Sequence, residues 1–212
     1  LDDPHSLPEP RSIMQRPDPS VLPDSFRIRR PVLVDSPSWA EGSLSGRQIQ
    51  VLGAGPLASA LKSELKRRGA RFGGPNPDAV IDADADVLRS FHAARALDSN
   101  RPADWVCASL IGADPTVVPA EIAVRIGARA GFTKALGQEW PECSARLVDV
   151  HPSLSDSEAA EILCDELAAS DGAVEIFHHV GRRLTMALQL EPMPSTGHAL
   201  EGNPVIVLTG GT

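Results

Sequence analysis

The chain has 212 residues, 42% of them hydrophobic, and a formal charge of −8. That length can bury a core as one domain or two small ones, and the acidic balance argues against nucleic acid or an anionic membrane as the main partner. No apolar run approaches the roughly 18 residues of a membrane helix and no signal peptide opens the chain, so a cytoplasmic protein is expected.

Residues 1–25, LDDPHSLPEPRSIMQRPDPSVLPDS, carry a proline every few positions and no apolar period. That composition gives an extended, semi-rigid linker, of the kind that tethers one domain to another. Phe26 to Val34 alternates as a strand does, and Pro31 demotes it to an edge position. From Gln48 the pattern is regular. RQIQVLG reads as a strand and PLASALKSELKRRG as a helix with Leu57, Leu61 and Leu65 a turn apart. Pro56 stands where a helix tolerates proline and Gly69 where helices stop. DAVID (78–82), DWVCASLIG and SARLVDV are strands. DVLRSFHAARALDS, the long PAEIAVRIGARAGFTKALGQEW closed by Pro141, and SDSEAAEILCDELAAS are helices. Ser155 and Glu158 form a capping box for the last of these. AVEIFHHVG and RRLTMALQLEP then make a hairpin. The alternation predicts a truncated, Rossmann-like, doubly wound parallel α/β sheet with a closing β-hairpin.

VLGAGPLA matches G-x-G-x-x-G/A at Gly53, Gly55 and Ala58, between a strand and a helix. Such glycines let a backbone approach a pyrophosphate at the helix N-terminus. The acidic residue that should follow about 20 positions on, to hold the ribose, is missing. The region reads RFGGPNP instead and passes at once to the next strand, as if the second crossover helix had been trimmed away. The turn is therefore expected to be degenerate and inactive, kept because it packs the helix on the sheet.

Cys107, Cys143 and Cys164 are odd in number, widely spaced and set among apolar residues, which makes them buried thiols and not disulfides or metal ligands. Asp82, Asp84 and Asp86 lack the Gly and Glu that an EF-hand needs and read as strand-end and helix-start carboxylates. His178 and His179 are strand neighbours on opposite faces and cannot share a metal. No metal site is expected. Trp39, Trp105 and Trp140 are spread out and read as packing residues.

GFTKALGQEWPE, Gly131 to Glu142, resembles the helix that follows the catalytic tyrosine of short-chain dehydrogenases. Its Glu139-Trp140-Pro141 resembles the ketoreductase domains of polyketide synthases and polyunsaturated fatty acid synthases. With the strand SFRIRRPVLV, the GAGPLA turn, the closing hairpin and the C-terminal VIVLTGGT, the resemblance runs from Phe26 to Thr212. It implies a domain of two halves. The first is a structural, truncated Rossmann unit; the second binds NADPH and reduces the β-ketoacyl group on an acyl carrier protein. Residues 26–203 would be the structural half, and 204–212 the first strand and Thr-Gly-Gly turn of the catalytic one. Thr209, Gly210 and Gly211 would open an incomplete NADPH-binding turn, and the stop at Thr212 would be a cut through a longer enzyme.

A short-chain reductase needs a serine to hold the carbonyl, a tyrosine to give the proton and a lysine four residues on. In the family's spacing these fall on Ser109, Ile122 and Ile126. Isoleucine can neither donate a proton nor carry charge, and the chain contains no tyrosine. The resemblance thus implies no catalytic residue and no cofactor bound by this segment. Its partners would be the catalytic subdomain and neighbouring synthase domains, with the carrier protein a partner of the parent. Ser109 alone reads as a strand-end serine bonded to backbone. Two other readings stay open: a nucleotide-binding module at Gly53 and Gly55, and a docking module that uses the Pro-rich arm or the apolar strand Val205 to Leu208.

Overall fold

The computed structural model describes residues 28–37, 42–84, 86–112, 119–179 and 181–191. The linker expected at 1–25, the strand and turn expected at 204–212, and Trp39 lie outside them. In chain order the elements are β1 (Ile28–Asp35), β2 (Gln48–Leu52), α1 (Pro56–Arg67), β3 (Arg71–Phe72), β4 (Ala79–Asp82), α2 (Val87–Leu97), β5 (Asp104–Ser109), α3 (Ala120–Glu139), β6 (Ser144–Val150), α4 (Asp156–Ala168), β7 (Glu175–His179) and β8 (Arg182–Glu191). The chain divides into two compact units. The smaller is Leu1–Arg30 with Gln189–Thr212, described only at Ile28–Arg30 and Gln189–Glu191, where β1 begins and β8 ends. Everything discussed below belongs to the larger, Pro31–Leu188.

The strands form one sheet in the order β1-β8-β7-β6-β5-β4-β2-β3. From β3 to β7 every neighbouring pair is parallel, and β8 closes the series antiparallel to β7. β1 takes the edge that Pro31 requires. Alternating strand residues feed two cores. On one face Leu57, Leu61 and Leu65 of α1 and Ala160 and Leu163 of α4 cover Ile49, Ile81, Val106 and Val148. On the other, Ala94 and Leu97 of α2 and Ile126 and Leu136 of α3 cover Val80, Trp105, Cys107 and Leu147. The sheet is doubly wound, as the alternation of strands and helices predicts.

Local chemistry sets the element ends. Gly69, at φ +79°, follows the last residues of α1 and turns the chain into β3. Ser155 caps α4 by accepting from Glu158 N, and the Glu158 carboxylate accepts from Ser155 N at 2.7 Å. Trp140 ends α3, donating its backbone N–H to Leu136 O, and packs edge to face on Trp105 at 6.2 Å. Arg101 lies over its ring. β3 has only two residues, too short to carry a period, and was not foreseen as a strand. From β3 the chain returns to β4 through residues 73–78 without a helix, so the second crossover is truncated.

The closing hairpin is held to α4 by buried charges. Glu166 accepts from Arg183 Nε at 2.6 Å, from Arg183 Nη2 at 2.9 Å and from His178 Nε2 at 2.7 Å. Asp171 stands 2.5 Å from Arg183 and 3.3 Å from Arg146, which is itself 3.7 Å from Glu166. Burial alone would raise the Glu166 carboxyl, but Arg183 and then His178 hold it at about 2. His178 turns to Glu166 while His179 packs edge to face with His151, so the two histidines do face apart. No helix among the described residues is long and apolar enough to cross a membrane.

Candidate functional site

Strand order reverses between β2 and β4: β3 lies outward of β2 on one side, and β4 pairs with its other side. In an open α/β sheet the crevice at the carboxyl ends of such strands is where ligands bind. Here it is a cleft of about 360 Å³ between the start of α1, the ends of β4 and β5, and α3. Its apolar walls include Leu57, Val87, Leu110 and Val124; its polar groups are Asp84, Asp86, Ser109, Arg125 and Arg129.

Gly53 and Gly55 form the turn from β2 into α1, at φ +97° and +99°. The two have different causes. A Cβ on Gly53 would stand 2.9 Å from backbone atoms of Ala83 and Asp84, so the turn is packed against the chain leaving β4. A Cβ on Gly55 would meet nothing within 4 Å, and only its backbone angle demands glycine.

The carboxylates of IDADAD bind the local backbone. Asp82 Oδ1 accepts from Asp84 N, Asp84 Oδ1 accepts from Asp86 N, and Asp86 caps α2 by accepting from Leu88 N at 2.9 Å. Asp82 is fully buried, and that burial pushes its carboxyl above the usual range. Arg129 of α3 reaches down to it, 4.0 Å from Asp82 Oδ2, and donates to the carbonyls of Asp82 and Asp84. This buried pin ties α3 to the chain that Gly53 packs against. Sequence reasoning missed it, because an arginine one turn from helix-surface residues carries no mark of burial.

The positions that the dehydrogenase resemblance singles out lie in one region but make no acid–base set. Ser109 ends β5 on the same face as Trp105 and Cys107, 5% exposed. Its hydroxyl has no hydrogen-bond partner among the described residues, whereas a bond to backbone was expected. The strand ends at Ser109, and beyond Leu110 the backbone amides of Ile111 and Gly112 donate to Asp149. Ile126 is 4% exposed in the core beneath α3, and Ile122 packs against the same cluster. None of Lys62, Lys66 and Lys134 lines the cleft. Thr209, Gly210 and Gly211 lie outside the described residues. Among the described residues no group of three or more His, Cys, Asp or Glu is placed to hold a metal ion.

Fold and site together define a truncated Rossmann-like α/β unit whose first turn glycine is packed against the chain leaving β4. Neither a family model nor a curated protein matches the sequence. Solved structures similar to the chain include ketoreductases of polyketide synthases. The A-type ketoreductases from a modular polyketide synthase match with a TM-score of 0.60 at 17% identity, over 82% of this chain and 45% of theirs. The ketoreductase from the first module of phoslactomycin biosynthesis in Streptomyces sp. HK803 matches with a TM-score of 0.61 at 19% identity, over 80% and 39%. A multidomain adenylation, ketoreductase and pseudo-Asub structure of a keto acid-selecting NRPS module matches at 0.51 and 13%, over 77% and 18%. The chain spans less than half the length of each, and at these identities the likeness is one of fold.

Proposed function

We propose that the chain is the non-catalytic structural subdomain of a ketoreductase in a multidomain polyketide or fatty acid synthase of the cytoplasm. Its work is mechanical. It braces the NADPH-dependent half that reduces β-ketoacyl chains on a carrier protein, and residues 1–25 link that domain to its neighbours in the synthase. The observation that carries this reading is Ile126 in the core and the partly buried Ile122 packed against it, standing where the resemblance puts the lysine and the proton-donating tyrosine. An aliphatic pair supplies neither a proton nor a charge to grip a ribose. The packing of Gly53 against Ala83 and Asp84 fits a turn kept because it packs the helix on the sheet.

The test is calorimetric titration with NADPH and with NADP. No heat up to about millimolar ligand is expected. One-to-one binding at micromolar concentration would favour a nucleotide module at Gly53 and Gly55, and the structural reading would fall.

A further inference from the structure

The two helical layers present different surfaces. On the α1–α4 side the outward positions carry charge, Lys62 and Lys66 on one helix and Glu158 and Glu161 on the other. No large apolar side chain of either helix is exposed. On the α2–α3 side, Ser90, Ala94 and Leu97 turn α2 to the core, which leaves Leu88, Phe91 and Arg95 at i, i+3 and i+7 on its outer side. Leu88 is 65% exposed and Phe91 46%. On α3 the outer row is Val124, Ala128, Gly131 and Ala135, with Val124 70% exposed. Past Val124 that row is small, and a Cβ added to Gly131 would meet nothing within 4 Å, so another backbone can come close. A single exposed leucine is ordinary, but an apolar strip shared by two neighbouring helices is a surface that another element covers.

Charge defines what covers it. Arg95 lies over the Phe91 ring, 6.0 Å from its centroid. It and Arg125 of α3 are exposed, and neither makes an ion pair among the described residues. Asp84 and Asp86, at the start of α2, are engaged by Arg89 at 3.6 and 3.7 Å. An apolar strip bordered by two unpaired guanidiniums selects a covering element that carries both apolar residues and carboxylates. A second copy of the same face would instead set guanidinium against guanidinium, so the strip does not suit a symmetric pair.

We propose that the α2–α3 face docks an amphipathic helix of a partner protein. The apolar stripe of that helix lies against Leu88, Phe91 and Val124, and its flanking carboxylates pair with Arg95 and Arg125. Docking here does not require the chain to brace a catalytic subdomain, and its failure would leave that reading intact.

The experiment titrates the full chain into two fluorescein-labelled helical peptides of about 18 residues, long enough to form a helix. Both carry the same leucine stripe, flanked by glutamates in one and by lysines in the other. Anisotropy should show the glutamate peptide binding with a Kd of about 10–100 micromolar, weakening as salt rises, and the lysine peptide at least about tenfold more weakly. Arg95→Glu with Arg125→Glu should weaken the glutamate peptide about tenfold and strengthen the lysine peptide. Phe91→Ala should weaken both. Lys62→Glu with Lys66→Glu, on the α1 side, should change binding by less than about twofold. All these positions are exposed, so the variants should melt with the parent chain. No binding of the glutamate peptide, equal binding of the lysine peptide, or an equal loss from the α1 variant would overturn the site. Sedimentation showing that the chain pairs with itself, and that Phe91→Ala dissolves the pair, would overturn the partner helix and make the occupant a second copy.

Discussion

Removing Glu166 should unfasten the closing hairpin at a cost that can be worked from the geometry. The buried cluster holds two carboxylates, Glu166 and Asp171, against two guanidiniums, Arg146 and Arg183. Glu166→Ala leaves both arginines sharing Asp171 and takes the acceptor from His178 Nε2. Breaking a buried pair in this way costs about 3–5 kcal/mol. The lowered pKa gives a figure from the same contacts. A carboxyl held at about 2 against an ordinary 4.5 corresponds to about 3 kcal/mol at neutral pH. Glu166→Gln keeps the shape and one acceptor, so about 2 kcal/mol is expected. Urea unfolding, followed by fluorescence of the buried Trp105 and Trp140, should show the midpoint falling by about 1–2 M with the slope unchanged. The control is Lys134→Ala, which breaks an ion pair with Glu175 whose lysine is half exposed and should cost no more than about 0.5 kcal/mol. If Glu166→Ala cost no more than that control, the hairpin would not be held by this cluster.

Three further outcomes follow from the same geometry. Glu166, and Glu64 under the hydrogen bonds of Arg67 and Arg68, are both held at about 2. Their folded values lie below the unfolded one, so the stability they contribute is present above pH 4.5 and lost as pH falls toward 2; acid titration of the unfolding midpoint should show that loss, flattened in Glu166→Gln. Burial pushes the Cys107 thiol up to about 11 and those of Cys143 and Cys164 to about 12. A thiol reagent should therefore find no reactive cysteine in the folded chain at neutral pH, and stability should fall as pH rises from the ordinary 9.0 through those values. Rapid labelling of any of the three would contradict their burial. Among glycines, Gly53→Ala should cost at least about 2 kcal/mol, since it adds both strain and a collision. Gly127→Ala and Gly131→Ala, at open positions within α3, should each gain about 0.5–1 kcal/mol, and denaturant midpoints in the opposite order would refute the assignment.

The fold was legible in the sequence because each long element carries its own signal. Leu57, Leu61 and Leu65 recur at one helical turn, Pro56 and Gly69 mark the ends of α1, and Ser155 with Glu158 spells the cap of α4. The hairpin follows from two alternating runs separated by a glycine. Pairwise burial was not legible. Arg146 sits in the strand SARLVDV and Arg129 on a helix rich in alanine and glycine, and nothing local to either says that a carboxylate waits beneath it. Those partners, Glu166 and Asp82, come from other elements and meet them only through the sheet order. The unused hydroxyl of Ser109 escaped for the same reason, because whether a strand-end serine finds a partner depends on the chain leaving β5. The two-residue β3 has no period to read, and only its pairing with β2 defines it.

The most direct test of the central claim is reconstitution. The catalytic half of the parent ketoreductase would be expressed alone and together with this chain. Its thermal stability and its NADPH-dependent reduction of a β-ketoacyl substrate would then be compared. If the chain is a brace, the catalytic half alone melts lower and loses most of its activity, and adding the chain restores both without itself binding NADPH. A catalytic half that is equally stable and active without the chain would contradict the account.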